Sequence, residues 1–279
     1  MSATAVATRG GSRLSYALSD GAIVARRNLV QIVRIPTVLV FELIQPIMFV
    51  LLFRYVYQDA FAGLLTVPYV LFLMPGIFVQ NTIFGSTTTA IGLAEDLKKG
   101  IVDRFRSLPM ARSAVLIGRT TADLMKNFVL VMIMIGIGYV VGFRFQEGIV
   151  AAIGVVALVL AVGFAFSWIS ATLGLAIKEV EAVQAASFTW IFPLVFVSSI
   201  FLPPQGMHPV LEAFARNNPM TYWANLARYL SIGQEGIVDP TTGIPVDTFE
   251  GLLIKSVLWI VGLLIVFIPL AVRLYRRLA

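Results

Sequence analysis

Residues 95–126 read EDLKKGIVDRFRSLPMARSAVLIGRTTADLMK, and this stretch decides how the chain is built. It carries seven Lys or Arg and four Asp or Glu in a protein whose charged residues make up only 13% of the sequence. Leu97, Ile101, Phe105 and Leu108 recur at the spacing of one helix stripe. Acidic Glu95 and Asp96 stand near its start and basic Arg104 and Arg106 near its end, as a helix dipole prefers, before Pro109 stops the run. The spacing predicts a short amphipathic helix over residues 95–108. It would lie on a membrane surface and present a charged face to the cytosol.

Outward from this block the sequence is apolar on both sides. Hydrophobic residues are 58% of the 279, with a mean hydropathy of +0.89. A soluble domain has about 45–50% apolar and about 25% charged residues. Several runs approach the roughly 20 residues that cross a bilayer as a helix, and the alternation of a membrane β-barrel is absent. The expected fold class is an all-α polytopic membrane protein. Six spans are predicted over residues 37–57, 67–93, 114–143, 149–177, 183–202 and 252–272.

Residues 1–13 are small and polar, with neither the apolar core nor the cleavage site of a signal peptide, and are expected to be a disordered tail. Residues 14–35 mix Leu14, Leu18, Ile23 and Leu29 with Arg13, Arg26, Arg27 and Arg34. They read as an amphipathic helix on the membrane surface, or as an ordinary basic flank of the first span. The loop 203–250 is too polar to span. Met207, Leu211 and Phe214 form a helical stripe there, Asn217-Asn218-Pro219 breaks it, and Tyr222, Trp223 and Tyr229 follow. Interfacial aromatics of this kind predict two short helices at, or dipping into, the outer leaflet.

Sixteen of the 21 Lys and Arg fall before the first span, in the 95–126 block, in the link at Lys178, or after the last span. The tendency of basic loops to stay inside therefore places both termini and the block in the cytosol. The net charge of +6 is accounted for by topology rather than by nucleic acid.

Chemistry is sparse. The chain has no cysteine and one histidine, His208, so neither a disulfide framework nor a histidine-rich metal centre is expected. No phosphate-binding GxxxxGK[ST] loop, HExxH or GxSxG occurs. No catalytic residue or metal site is expected, and the energy source must be an ion gradient or another polypeptide. Glu42 is the one acid clearly within a predicted span, and Gln45 lies one turn on. Intramembrane carboxyls often mark function, but this one can equally be a hydrogen-bonded packing group. Gln80, Asn81, Thr82 and Ser86, followed by Thr87, Thr88 and Thr89, could line a substrate path, or bond back to their own helix. Arg119 with Asp123, and Asp123 with Lys126, are spaced to pair along one helix. Gly136, Gly138, Gly163 and Gly174 allow close helix packing. The tryptophans read as packing or interface anchors.

Three stretches carry a family resemblance. One is Glu95-Asp96-Leu97-Lys98-Lys99-Gly100, running into Asp103-Arg104-Phe105-Arg106-Ser107-Leu108-Pro109-Met110 and Gly118-Arg119. Another is Asn218-Pro219-Met220-Thr221-Tyr222 with Ala227-Arg228, and the third is Arg34-Ile35-Pro36. With the order of spans, they make the chain similar to the membrane subunit of type-2 ABC transporters, the permease family that includes daunorubicin- and multidrug-resistance-type exporters. The resemblance implies that residues 36–279 form one transmembrane domain and residues 14–35 its connecting helix. It implies that the 95–108 helix couples to a cytosolic ABC ATPase through Glu95, Asp96, Lys98, Lys99, Asp103, Arg104 and Arg106. ATP and magnesium would be bound by that partner, in two copies, beside two permease chains. The 203–250 loop would form an external re-entrant element containing Phe214, Asn218, Pro219, Tyr222 and Arg228. The substrate would be an amphiphilic drug, lipid or glycolipid leaving across a prokaryotic inner (plasma) membrane. The family gives Glu42 no role. An ion-coupled carrier using Glu42, and a non-transporting scaffold or insertion factor, are the competing classes.

Overall fold

The computed structural model describes residues 36–59, 65–100, 112–205 and 207–278. Among them the regular elements are helices, and the one strand-like feature is an isolated bridge between Val238 and Pro245. The tail 1–13, the surface helix 14–35 and residues 101–111, with Asp103, Arg104 and Arg106, lie outside the described residues.

Helix α1 (Pro36–Leu51) passes into a π-helical turn, Leu52–Val56. Pro46 lies inside it and has no N–H to give the Glu42 carbonyl one turn back. Helices α2 (Tyr69–Gly85) and α3 (Thr87–Lys98) form one path of 30 residues with a hitch at Ser86. Three successive hydroxyls stitch this hitch: Ser86 donates to the Ile83 carbonyl, Thr87 to Phe84 and Thr88 to Gly85. Side chains that compete for backbone carbonyls in this way bend a helix without breaking it. Next come α4 (Arg112–Val141), α5 (Gly148–Ile177) and α6 (Val180–Phe196). The short helices α7 (Pro209–Asn217) and α8 (Pro219–Ile232) lead to α9 (Phe249–Leu278).

Four helical runs are long and apolar enough to cross a bilayer: Tyr69–Lys98, Leu116–Val141, Gly148–Ile177 and Phe249–Arg277. Helix α6 is apolar but shorter. On α9, Ile254, Leu258 and Ile265 are each more than half exposed. In water such a face would be adhesive; lipid is the solvent that tolerates it.

Helix α5 is the hub, packed against α2, α3, α4, α8 and α9. Gly174 permits its close approach to α3, because a Cβ there would strike the Ala90 carbonyl. Gly136, by contrast, faces open space among the described residues.

Two elements depart from the sequence expectation. The second membrane helix does not stop at 93 but runs to Lys98, and Gly100 takes φ +63 immediately after it. Residues 95–108 are therefore not one helix, since Glu95–Lys98 complete α3. The acidic pair consequently sits at a helix C-terminus, where the dipole disfavours it, and cations offset this: Glu95 pairs with Lys99 and Asp96 with Arg119. Helix α6 ends at Phe196 rather than near 202, where the Asn218 side chain, just ahead of α8, takes the Leu194 and Val197 carbonyls.

Candidate functional site

Two polar centres are buried in this bundle. The first lies where α1, α2, α3 and α4 meet. Lys126 of α4 is 3% exposed, and its ammonium donates to Glu42 Oε1 at 2.9 Å, to the Gly85 carbonyl at 3.2 Å and to Thr88 Oγ1 at 2.6 Å. An ammonium has three donors, so Lys126 is saturated. Its position follows from helix geometry: Arg119, Asp123 and Lys126 share one face of α4 at i, i+4 and i+7. That face meets the hitch in the α2–α3 path, where the hydroxyls concentrate. Asp123 accepts from Thr89, while Arg119 reaches Asp96 at 3.2 Å and the Thr88 carbonyl at 3.3 Å. The expected pairs along α4 are thus replaced by partners on α1 and α3. A helix buried on this side gains more by neutralising its charges across the interface than by pairing them along its own surface.

The result is a polar seam from Asp96, at the end of α3, through Arg119, Thr88 and Lys126 to Glu42. Beside Glu42 opens a cleft of about 130 Å³. Glu42, Gln45, Gln80 and Asn81 line it, with Phe41, Phe84 and Phe188 as apolar walls. Glu42 Oε2, Gln80 Oε1 and Asn81 Nδ2 are enclosed there without a hydrogen-bond partner among the described residues. Thr82 and Ser86, candidates for the same path, do not belong to this cleft. Thr82 bonds back to the Phe78 carbonyl, and Ser86 binds the Ile83 carbonyl and faces Ser170 of α5.

The second centre is at the opposite end of the bundle, around Arg228 of α8. Its side chain is fully buried over the Phe72 ring, with the guanidinium carbon 3.6 Å from the ring centroid. It donates to the Phe72 carbonyl at 2.8 Å, to Ser199 Oγ at 3.0 Å and to Asn225 Oδ1 at 2.8 Å. It also donates to the carbonyls of Ser199 and Ile200. Asn218 complements it: its Oδ1 accepts the Met220 N–H and caps α8, while its Nδ2 donates to the Leu194 and Val197 carbonyls, both at 2.7 Å. Asn218 thus satisfies carbonyls at the end of α6, and Arg228 those of the turn that follows it.

Pro219 opens α8 at its first position, where its missing N–H costs nothing. Trp223 departs from the expected interface position. It is fully buried, edge-on to Phe166, and donates Nε1 to the Ser256 carbonyl. Phe214 sits half-exposed on α7, apart from this network. Tyr222 lines a second cavity, of about 230 Å³, between α8, α9 and the loop above them. Near it Asp239 accepts from Thr241 and Gln205. Burial would raise the Asp239 carboxyl, but those hydrogen bonds win and hold it below the usual range.

Of the expected coupling residues, Glu95, Asp96, Lys98 and Lys99 are described. They gather at the end of α3, with Lys98 and Lys99 exposed. The Glu95 carboxylate hydrogen-bonded to Lys99 holds that ammonium above the usual lysine value. The sequence reading does not contain Lys126 as the partner of Glu42, or Ser199 and Asn225 as partners of Arg228. The i, i+7 spacing of Arg119 and Lys126 was the available signal for the first pair; nothing in the sequence marks the second.

Four helices long and apolar enough to cross a bilayer, packed around a buried charge seam, define a polytopic membrane domain. The model of the ABC-2 type transporter family matches residues 21–231, and the chain belongs to that family. It is 33% identical over 242 residues to the daunorubicin resistance ABC transporter permease protein DrrB1 of Streptomyces coeruleorubidus, covering 87% of this chain and 81% of the relative. It is 27% identical over 212 residues to the probable doxorubicin resistance ABC transporter permease protein DrrC of Mycobacterium tuberculosis, covering 74% and 69%. The chain is accordingly a multi-pass permease subunit of drug-resistance type, and its family implies partnership with an ABC ATPase subunit.

Proposed function

We propose that this chain is the membrane half of an ATP-driven exporter for an amphiphilic substrate, with six spans and both termini in the cytosol. Two copies would assemble with two ATPase subunits, which bind the ATP and magnesium. The α3 end at Glu95–Gly100 and the following residues through Arg106 dock the ATPase. The cleft beside Glu42 forms part of the substrate path, and the Asn218–Arg228 region caps its external end.

The observation that carries this reading is the polar seam. It physically joins the end of α3, where a partner would push, to the intramembrane cleft, where a substrate would sit. Displacement of α3 against α4 breaks or remakes these bonds, so two packings of rigid helices can be biased from one end. Gradient-driven carriage through Glu42 is the less favoured reading, because Lys126 already supplies that carboxylate with a fixed counter-ion.

Charge reversal at Arg104 and Arg106 tests the docking assignment. The double variant should reach the membrane normally, lose co-purification with the ATPase and lose ATP-driven export. Retained co-purification together with retained export would overturn it.

A further inference from the structure

The cleft beside Glu42 has a donor and acceptor pattern that no assigned role explains. Buried polar atoms in native proteins are nearly always paired, and each exception calls for a water or a ligand. Three such atoms belong to side chains that line one void: the acceptors Glu42 Oε2 and Gln80 Oε1, and the donor Asn81 Nδ2. Gln80 and Asn81 are 2% and 6% exposed, so bulk water does not satisfy them. The void of about 130 Å³ has room for several waters or for one ring-sized polar group.

Charge narrows the occupant. Glu42 is the one ionisable group that lines the cleft among the described residues, and Lys126 neutralises it from behind. The Lys126 ammonium spends all three protons on Glu42, Gly85 and Thr88, leaving none for a ligand. A cationic head entering the cleft would have to share Glu42 with Lys126, which already neutralises it, and an anionic head would meet the Glu42 carboxylate. In a low-dielectric site both encounters are costly. A neutral hydroxyl meets neither penalty, because the Gln80 and Asn81 amides in the wall each offer it both a donor and an acceptor. Phe41 at the rim is 72% exposed, and Ile44 and Met48 continue an apolar face along α1. That face supplies the path for a tail in the bilayer.

We propose that this cleft binds the uncharged, hydroxyl-bearing head of an amphiphile whose tail lies along α1 in the lipid. This rests on the reading of the cleft as part of the substrate path, and names the substrate class for it.

The test uses the permease–ATPase complex in lipid nanodiscs without ATP, with three radiolabelled amphiphiles of one dodecyl chain: dodecyl glucoside, dodecyltrimethylammonium and dodecyl sulfate, each below its micellar concentration. The comparison protein carries Gln80→Leu and Asn81→Leu. That variant removes unpartnered buried amides, so it should fold at least as well as the parent. Saturable glucoside binding is expected in the parent and a loss of roughly tenfold or more in the variant, the scale of two lost hydrogen bonds. The two charged amphiphiles should show only lipid partitioning, equal in both proteins. Saturable binding of the ammonium or the sulfate that the variant abolishes would overturn the proposal, as would glucoside binding unchanged by the variant or absent from the parent. Co-purification with the ATPase and ATP-driven export, measured on the same preparation, report on the permease reading separately.

Discussion

Lys126 and Arg228 are both buried cations, yet the protein solves their burial in opposite ways. Lys126 sits between helices that contribute a carboxylate, a hydroxyl and a carbonyl, so its charge is met by charge. Arg228 makes five hydrogen bonds, all to carbonyl, hydroxyl or amide oxygens, with no carboxylate among them. The first arrangement joins transmembrane helices through an ion pair that a sliding motion can separate. The second nails a short inserted helix to the ends of two others with a planar fork that no lysine reproduces. One centre rests on an ion pair between separate helices, and the other on a hydrogen-bonded clamp.

The largest effect should come from breaking the rigid end. Arg228→Met strips the Ser199 and Ile200 carbonyls and the Ser199 and Asn225 side chains of their buried donor, at about 1–3 kcal/mol for each group left unpaired. It should abolish a cooperative thermal transition of the detergent-purified protein. Arg228→Lys keeps the charge but not the fork and should recover less than half of the stability. Full recovery by lysine would mean that charge, not geometry, holds this end.

Breaking the ion pair should cost slightly less. Lys126→Met strands a buried carboxylate at about 3–5 kcal/mol. Combining it with Glu42→Gln should restore most of that loss in thermal melts. Additive losses in the double variant would show that the two residues do not act as a pair.

Asn218→Ala removes the α8 cap together with two bonds to the end of α6, and should cost about 1–2 kcal/mol. The smallest effect concerns pH. Asp239 is held below the usual carboxyl range, so its contribution is present above its unfolded value and lost as pH falls through its folded value. Asp239→Asn should flatten the acid limb of stability around the 205–241 loop, read by limited proteolysis across acidic pH.

The helical class and the regions of the main membrane helices were legible because apolar run length is a one-dimensional signal. Residues 69–98, 112–141, 148–177 and 249–278 sit close to where the runs placed them. Two boundaries failed for local reasons. Gly100 ends a helix that the stripe Leu97–Ile101–Phe105–Leu108 carried straight through, because stripe spacing is blind to a single left-handed residue. Helix α6 stops early where Asn218, more than 20 residues away, takes the Leu194 and Val197 carbonyls, a contact that no local window on the sequence shows.

The candidate path was half legible. Glu42, Gln45, Gln80 and Asn81 converge on one cleft, whereas Thr82 and Ser86 point their bonds into their own helix. Composition marks a polar helix face but not which of its members have already spent their hydrogen bonds. The pairing of Glu42 with Lys126 across 84 positions is a tertiary fact, set by which face of α4 meets the hitch at Ser86.

In the proposed mechanism the seam from Asp96 to Glu42 transmits movement of the α3 end to the cleft. Export per ATP hydrolysed, by proteoliposomes holding the permease with its ATPase, tests it most directly when Arg119 is changed to Gln. The account predicts a fall of roughly tenfold, about 1.4 kcal/mol of coupling, with ATPase co-purification retained. Unchanged export per ATP in that variant would contradict it.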